Sequence, residues 1–133
     1  MTMRPVFTRR TIVLVIIAAL IPAAYFLWDY HERQSALSCI QEWGRLAPFP
    51  PTAHSVQIET AGSMFTREFR ASFSADPDEI ERWLSDSPGI QDATAEKDGG
   101  TTVYRIRPGG GAAFAEAIVD LEGGTVRIHV YWS

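Results

Sequence analysis

Residues 11–28 (TIVLVIIAALIPAAYFLW) form a run of 18 residues without a charge. A backbone in hydrocarbon must satisfy its own N–H and C=O groups, so a segment of this kind is confined to a helix. At about 1.5 Å per residue the run reaches about 27 Å, close to the hydrocarbon thickness of a bilayer. Arg4, Arg9 and Arg10 precede it with no acidic residue, whereas Asp29, His31, Glu32 and Arg33 follow it and roughly cancel. That asymmetry predicts a cytoplasmic N-terminus, residues 1–10, and an extracytoplasmic remainder. Tyr25, Trp28 and Tyr30 gather at the outer end, where amphipathic rings favour the headgroup region. Pro22 is tolerated in a membrane helix, with a kink expected.

A cleaved signal peptide is the rival reading. The nearest small-residue site, Pro22-Ala23-Ala24, is followed by more apolar sequence, Tyr25 to Trp28. Ala36-Leu37-Ser38 fits the cleavage pattern better, but Asp29, His31, Glu32 and Arg33 separate it from the apolar run. The same charges count against lipid attachment at Cys39. A buried core helix would need a covering layer that the rest of the chain hardly supplies. An uncleaved signal anchor is therefore expected.

Beyond the run, helical spacing continues over residues 29–47 through Ala36, Leu37, Ile40, Trp43 and Ala47. Gly44 and then Pro48-Phe49-Pro50-Pro51 end it, because proline lacks a donor and disfavours helix in the residue before it. The period then changes to two. Val56, Ile58 and Thr60 mark a short strand, and Ala61-Gly62-Ser63 a turn. Phe65, Phe69, Ala71 and Phe73 line one face of a longer strand. Asp76-Pro77-Asp78-Glu79 opens a helix over 77–86 with an Asp cap and Pro at the first position, and Ser87-Pro88-Gly89 stops it. Residues 90–100 read as a polar loop. Thr102, Tyr104 and Ile106 mark another strand, broken by Pro108-Gly109-Gly110-Gly111. Residues 113–121 and 126–132 read as a hairpin about Glu122-Gly123-Gly124; Ala and Glu leave helix as an alternative for 112–121.

This pattern predicts an α+β domain over residues 48–133, about five antiparallel strands packed with one or two helices. Its expected core is Phe65, Phe69, Phe73, Ile80, Trp83, Tyr104, Ile106, Val126, Ile128, Val130 and Trp132. Eighty-six positions suffice for one modest core.

The candidate chemistry is sparse. One cysteine in 133 residues excludes an internal disulfide framework and a Cys-based zinc site. Cys39 could serve as a nucleophile only with a base beside it, and its place next to Ile40 reads as packing; pairing between chains is the other use open to it. His31, His54 and His129 form no metal-ligand spacing, and no metal site or cofactor is expected. Pro108-Gly109-Gly110-Gly111 lacks the Gly-Lys-Ser/Thr of a phosphate loop. A net charge of -4 carries no nucleic-acid signature.

The distinctive feature is arginine placement. Alternation puts Arg70, Arg105, Arg107 and Arg127, with His129 and Tyr131, on the polar face of the sheet. Guanidinium forks there could hold a phosphate, a carboxylate or an acidic partner. Cross-strand pairing with Glu68, Glu116 and Asp120 is the plainer reading, because the chain from residue 34 onward carries 8 basic and 14 acidic residues. The expected function is a membrane-tethered, non-enzymatic protein-interaction module, its partners the lipid bilayer and another membrane or periplasmic protein. A small membrane-anchored hydrolase using His54 or His129 with acidic neighbours is the alternative. Arginine-dominated basicity, 11 Arg to 1 Lys, with an N-terminal anchor fits a bacterial source.

Overall fold

A computed structural model describes residues 8–133. Residues 1–7, including Arg4 and most of the expected cytoplasmic tail, lie outside the described residues. The chain divides into two units, Met1–Gln34 and Ser35–Ser133.

Helix α1 covers Arg9–Gly44 and contains Pro22; the first unit holds its part up to Gln34. Its apolar stretch is long and apolar enough to cross a membrane, and none of that stretch is buried against protein. Large apolar side chains such as Leu14, Ile21 and Phe26 are exposed there, a surface that water would penalise at about 25 cal/mol per Å².

The second unit is α+β. Six strands, β1 (His54–Gly62), β2 (Arg67–Ser74), β3 (Thr94–Asp98), β4 (Thr101–Ile106), β5 (Phe114–Asp120) and β6 (Thr125–Trp132), form one antiparallel sheet ordered β1-β2-β6-β5-β4-β3. One more strand is present than the alternation predicts. It is β3, exposed at every position, so burial left no period-two pattern in Thr94–Asp98 to read.

One face of the sheet carries the core. Phe69, Ala71 and Phe73 of β2, Val126, Ile128 and Val130 of β6, Ala115, Ala117 and Val119 of β5, and Ile106 are all buried. The helices cover this face. Ala36, Ile40 and Trp43 come from the end of α1, and Ile80 and Trp83 from α2 (Pro77–Asp86). Ile90 comes from the single turn α3 (Pro88–Gln91). Trp43 packs on Phe69 at 5.4 Å between ring centroids. Phe73 sits between Phe49, at 4.6 Å, and Trp83, at 5.4 Å and nearly perpendicular.

The Pro-rich connector is fixed by α2. Trp83 Nε1 donates to the Ala47 carbonyl at 2.9 Å. The buried Ser87 hydroxyl donates to the Trp83 carbonyl at 2.8 Å and accepts from the Ala47 amide at 3.0 Å. Three hydrogen bonds thus satisfy polar groups of Ala47, Trp83 and Ser87 locally.

Several expectations need correction. Phe65 is not core: it lies in the β1–β2 turn and is exposed, as is Trp132 at the end of β6. Alternation assigned both to the apolar face, but β2 begins only at Arg67 and β6 ends at Trp132, so Phe65 lies outside the ladder and Trp132 at its rim. Asp76 starts α2 without a side-chain cap bond; its carbonyl instead accepts from Glu79 and Ile80, both at 3.0 Å. The polar loop of residues 90–100 is occupied by the end of α3 and by β3. The hairpin expected over 113–121 and 126–132 is present, with strand rather than the alternative helix at Phe114–Asp120.

Candidate functional site

The face of the sheet opposite the core is uncovered, and alternation fills it with polar side chains. Register arranges them in rows across the strands. One row runs Glu59, Arg70, His129, Glu116, Arg105, Thr94; the next runs Gln57, Ser72, Arg127, Ile118, Val103, Glu96. Opposite charges therefore stand beside one another in the first row, the arrangement that lowers cross-strand repulsion.

Glu68 is the hub of this face. Its Oε1 accepts from Arg70 Nε at 2.9 Å and contacts the Arg70 terminal nitrogen at 2.8 Å. His129 Nε2 lies 2.7 Å from the same oxygen, without an aligned hydrogen bond. The Phe114 ring lies 5.3 Å from the imidazole. The Arg70 guanidinium beside Glu68, helped by His129, holds its carboxyl below the ordinary range against the opposing effect of desolvation.

Arg105 pairs with Glu96 across the β3–β4 ladder at 3.6 Å. Arg127 forms no ion pair among the described residues, and its side chain is exposed on a shallow depression of about 340 Å³. The depression is also lined by Gln57, Glu59, Arg70, Ser72, Glu116, Ile118 and His129.

The structure thus gathers Arg70, Arg105, Arg127, His129 and Tyr131 on one face. Arg107 does not join them. It lies one residue past β4, where its carbonyl accepts from Arg45 Nε at 3.0 Å and its charge acts on Asp92. Alternation places Arg105 and Arg107 together only while the strand continues, and Pro108 ends it. The expected acidic partners are also redistributed. Glu68 serves as foreseen, but Asp120 Oδ1 accepts from the Gly123 amide at 2.9 Å to close the β5–β6 turn. Glu96, not Glu116, takes Arg105. Glu96 was missed because β3 was missed; the Gly99-Gly100 pair after Asp98 is the hairpin signal that could have found it.

The remaining candidates are inert or dispersed. Burial pushes the Cys39 thiol up, and the Glu42 carboxylate adds to it more than Arg67 offsets. That is opposite to a reactive thiolate. His54 is exposed, 3.4 Å from the Thr52 carbonyl. Among the described residues no three His, Cys, Asp or Glu side chains converge on a metal position.

A second charged cluster binds the helix ends. Arg45 pairs with Asp92, which lowers the Asp92 carboxyl below its ordinary range and raises the Arg45 guanidinium. Glu68 and Asp92 thus bind protons more weakly folded than unfolded. Such groups add stability above their unfolded pKa values and lose it as the pH falls through the folded ones. Between about pH 5 and pH 2 the protein should therefore lose more stability than its Glu68→Gln/Asp92→Asn variant. Urea midpoints measured across that range check this; parallel curves would show that the two pairs are not linked to folding.

Against known proteins, the chain matches no family model, no curated protein and no solved structure. Fold and face define the class on their own: an α+β unit whose antiparallel sheet is covered on one side and charged on the other.

Proposed function

We propose that the protein is a single-pass membrane protein of bacterial type, a signal anchor with its N-terminus in the cytoplasm, whose extracytoplasmic unit binds another membrane or periplasmic protein. Binding uses the uncovered sheet face. The observation that carries this reading is Arg127, exposed and without an ion pair among the described residues on the floor of that face, while Arg70, Arg105 and His129 are held by Glu68 and Glu96. A cation already ordered by its strand but not neutralised favours an acidic group of a partner. The paired charges around it supply register and exclude mismatched surfaces. Tethering adds effective concentration for a partner in the same membrane.

The hydrolase reading has one observation on its side, the contact of His129 with Glu68. A base needs a nucleophile within hydrogen-bond reach. Ser72 is the nearby hydroxyl lining the depression, and it stands opposite Arg127 rather than His129. The imidazole instead leans toward Glu68 and Phe114, both register partners of Tyr131. This geometry favours binding.

A photo-crosslinker at Ile118, in native membranes, should join the chain to a defined partner. Arg127→Glu should abolish that product, whereas Lys97→Glu on the outer strand should leave it. Unchanged products in Arg127→Glu would refute the sheet-face assignment. A reporter fused after Ser133 should be active only outside the cytoplasm, and cytoplasmic activity would refute the orientation.

A further inference from the structure

The large apolar side chains exposed in the Ser35–Ser133 unit are Met64 at 92%, Phe65 at 77%, Phe114 at 40% and Trp132 at 39%. All four lie at one end of the sheet. Met64 and Phe65 form the β1–β2 turn, Phe114 begins β5, Trp132 ends β6, and Arg67, the residue paired with Trp132, follows the turn directly. At the opposite end, the β3–β4 and β5–β6 turns carry Gly99, Gly100, Glu122 and Gly123 instead.

The turn is held in shape rather than left loose. The Ser63 amide donates to the Thr66 carbonyl at 3.0 Å, and the Phe65 amide donates to Ser63 Oγ at 3.3 Å. Gly62, with φ +143°, lets the chain close; a Cβ there would stand 2.2 Å from the Thr66 carbonyl oxygen. A built, convex turn with two outward apolar side chains suits a soft surface better than a matched protein groove.

This end is also where the chain enters the unit. Trp43 of α1 packs on Phe69, two residues beyond Arg67; Cys39, one turn earlier, feels the Arg67 charge, and Ser35 is one helical turn before Cys39. Six residues, 29–34, separate Ser35 from the uncharged run. Even fully extended they span about 20 Å.

We propose that the Met64–Phe65 turn is a second lipid contact, its two side chains lying in the headgroup region of the bilayer that the apolar helix spans, with Arg67 at the phosphates and Trp132 beside them. This rests on the membrane-spanning reading of residues 11–28. Aromatic rings and arginine at this depth are the ordinary interfacial anchors. The contact limits how the unit can turn on its tether, and keeps the charged sheet face oriented for a partner in the same membrane.

The test uses the full chain with Cys39→Ala, reconstituted in phosphatidylcholine–phosphatidylglycerol vesicles. An environment-sensitive fluorophore is attached through Phe65→Cys, and separately through Met64→Cys or Glu122→Cys. Vesicle flotation reports the anchor independently. The expected result is flotation of every version, with blue-shifted emission at positions 64 and 65 that nitroxide-labelled lipids quench, and water-like, unquenched emission at 122. Flotation with water-like emission at 64 and 65 overturns the lipid contact and leaves the anchor standing. Shielded emission that lipid nitroxides do not quench also overturns it, and assigns the turn to a second copy of the chain. Loss of flotation overturns the anchor and the contact together.

Discussion

Trp83→Ala should lower the stability of the Ser35–Ser133 unit by about 3–5 kcal/mol, the range for removing a buried aromatic side chain. The indole is buried against Phe73 and Phe49, and its removal opens space that neither ring can fill without leaving the other. It also deprives the Ala47 carbonyl of its indole donor, so a polar loss is added to the cavity. Trp83→Phe separates the two effects. It retains most of the volume and should cost about 1–2 kcal/mol for the missing hydrogen bond and the smaller ring. Because a domain is stable by only about 5–15 kcal/mol, Trp83→Ala should leave a visibly lowered urea midpoint. Near-ultraviolet circular dichroism in detergent is the suitable probe, since α1 can stay helical when the sheet unfolds. A change below about 1 kcal/mol would mean that α2 is not part of the core.

The same aromatic cluster shows what could be read from the sequence. Ile80 and Trp83 recur at helical spacing and Phe69, Ala71 and Phe73 at strand spacing, because each element buries one face and burial leaves a period. Helix 77–86, the hairpin of β5 and β6, and the α+β class were legible for that reason. Where no face is buried the signal vanishes. Thr94–Asp98 became an edge strand with every side chain exposed, and only the Gly99-Gly100 turn that follows it marks it off from a loop. Phe65 and Trp132 fail in the opposite sense: their residue types and parity fit the core, but β2 begins two residues after Phe65 and β6 ends on Trp132, so both stand at the rim of the sheet.

The candidate face was legible as a set of positions, not as a set of partners. Alternation alone puts Arg70, Arg105, Arg127, His129 and Tyr131 on one side. Which carboxylate each cation finds depends on strand register: His129 reaches Glu68 because β6 lies beside β2, and Arg105 reaches Glu96 only once the β3–β4 hairpin is formed. Arg107 left the set because a strand end is less predictable than a strand. The freedom of Arg127 is therefore a tertiary fact, visible only once Glu68 and Glu96 are seen to be engaged elsewhere.

Gly89→Ala should destabilise the unit by about 3 kcal/mol, at the upper end of the overpacking range. The reason is contact, not glycine's backbone freedom. A Cβ at this position would lie 2.1 Å from the Gly44 carbonyl oxygen, 3.1 Å from the Arg45 carbonyl oxygen and 3.0 Å from the Ile106 side chain. Backbone oxygens cannot rotate aside, so α3 would have to separate from the end of α1. That movement would break the bond from the Gly89 amide to the Arg45 carbonyl, now 2.8 Å. It would also disturb Arg45, which holds both Asp92 and the Arg107 carbonyl. Gly100→Ala provides the contrast, because a Cβ there meets nothing within 4 Å and should change stability by no more than about 0.5 kcal/mol. Urea unfolding of the two variants side by side checks the pair. Equal effects would mean that the close approach of Gly89 to Gly44 does not hold α1 against the sheet.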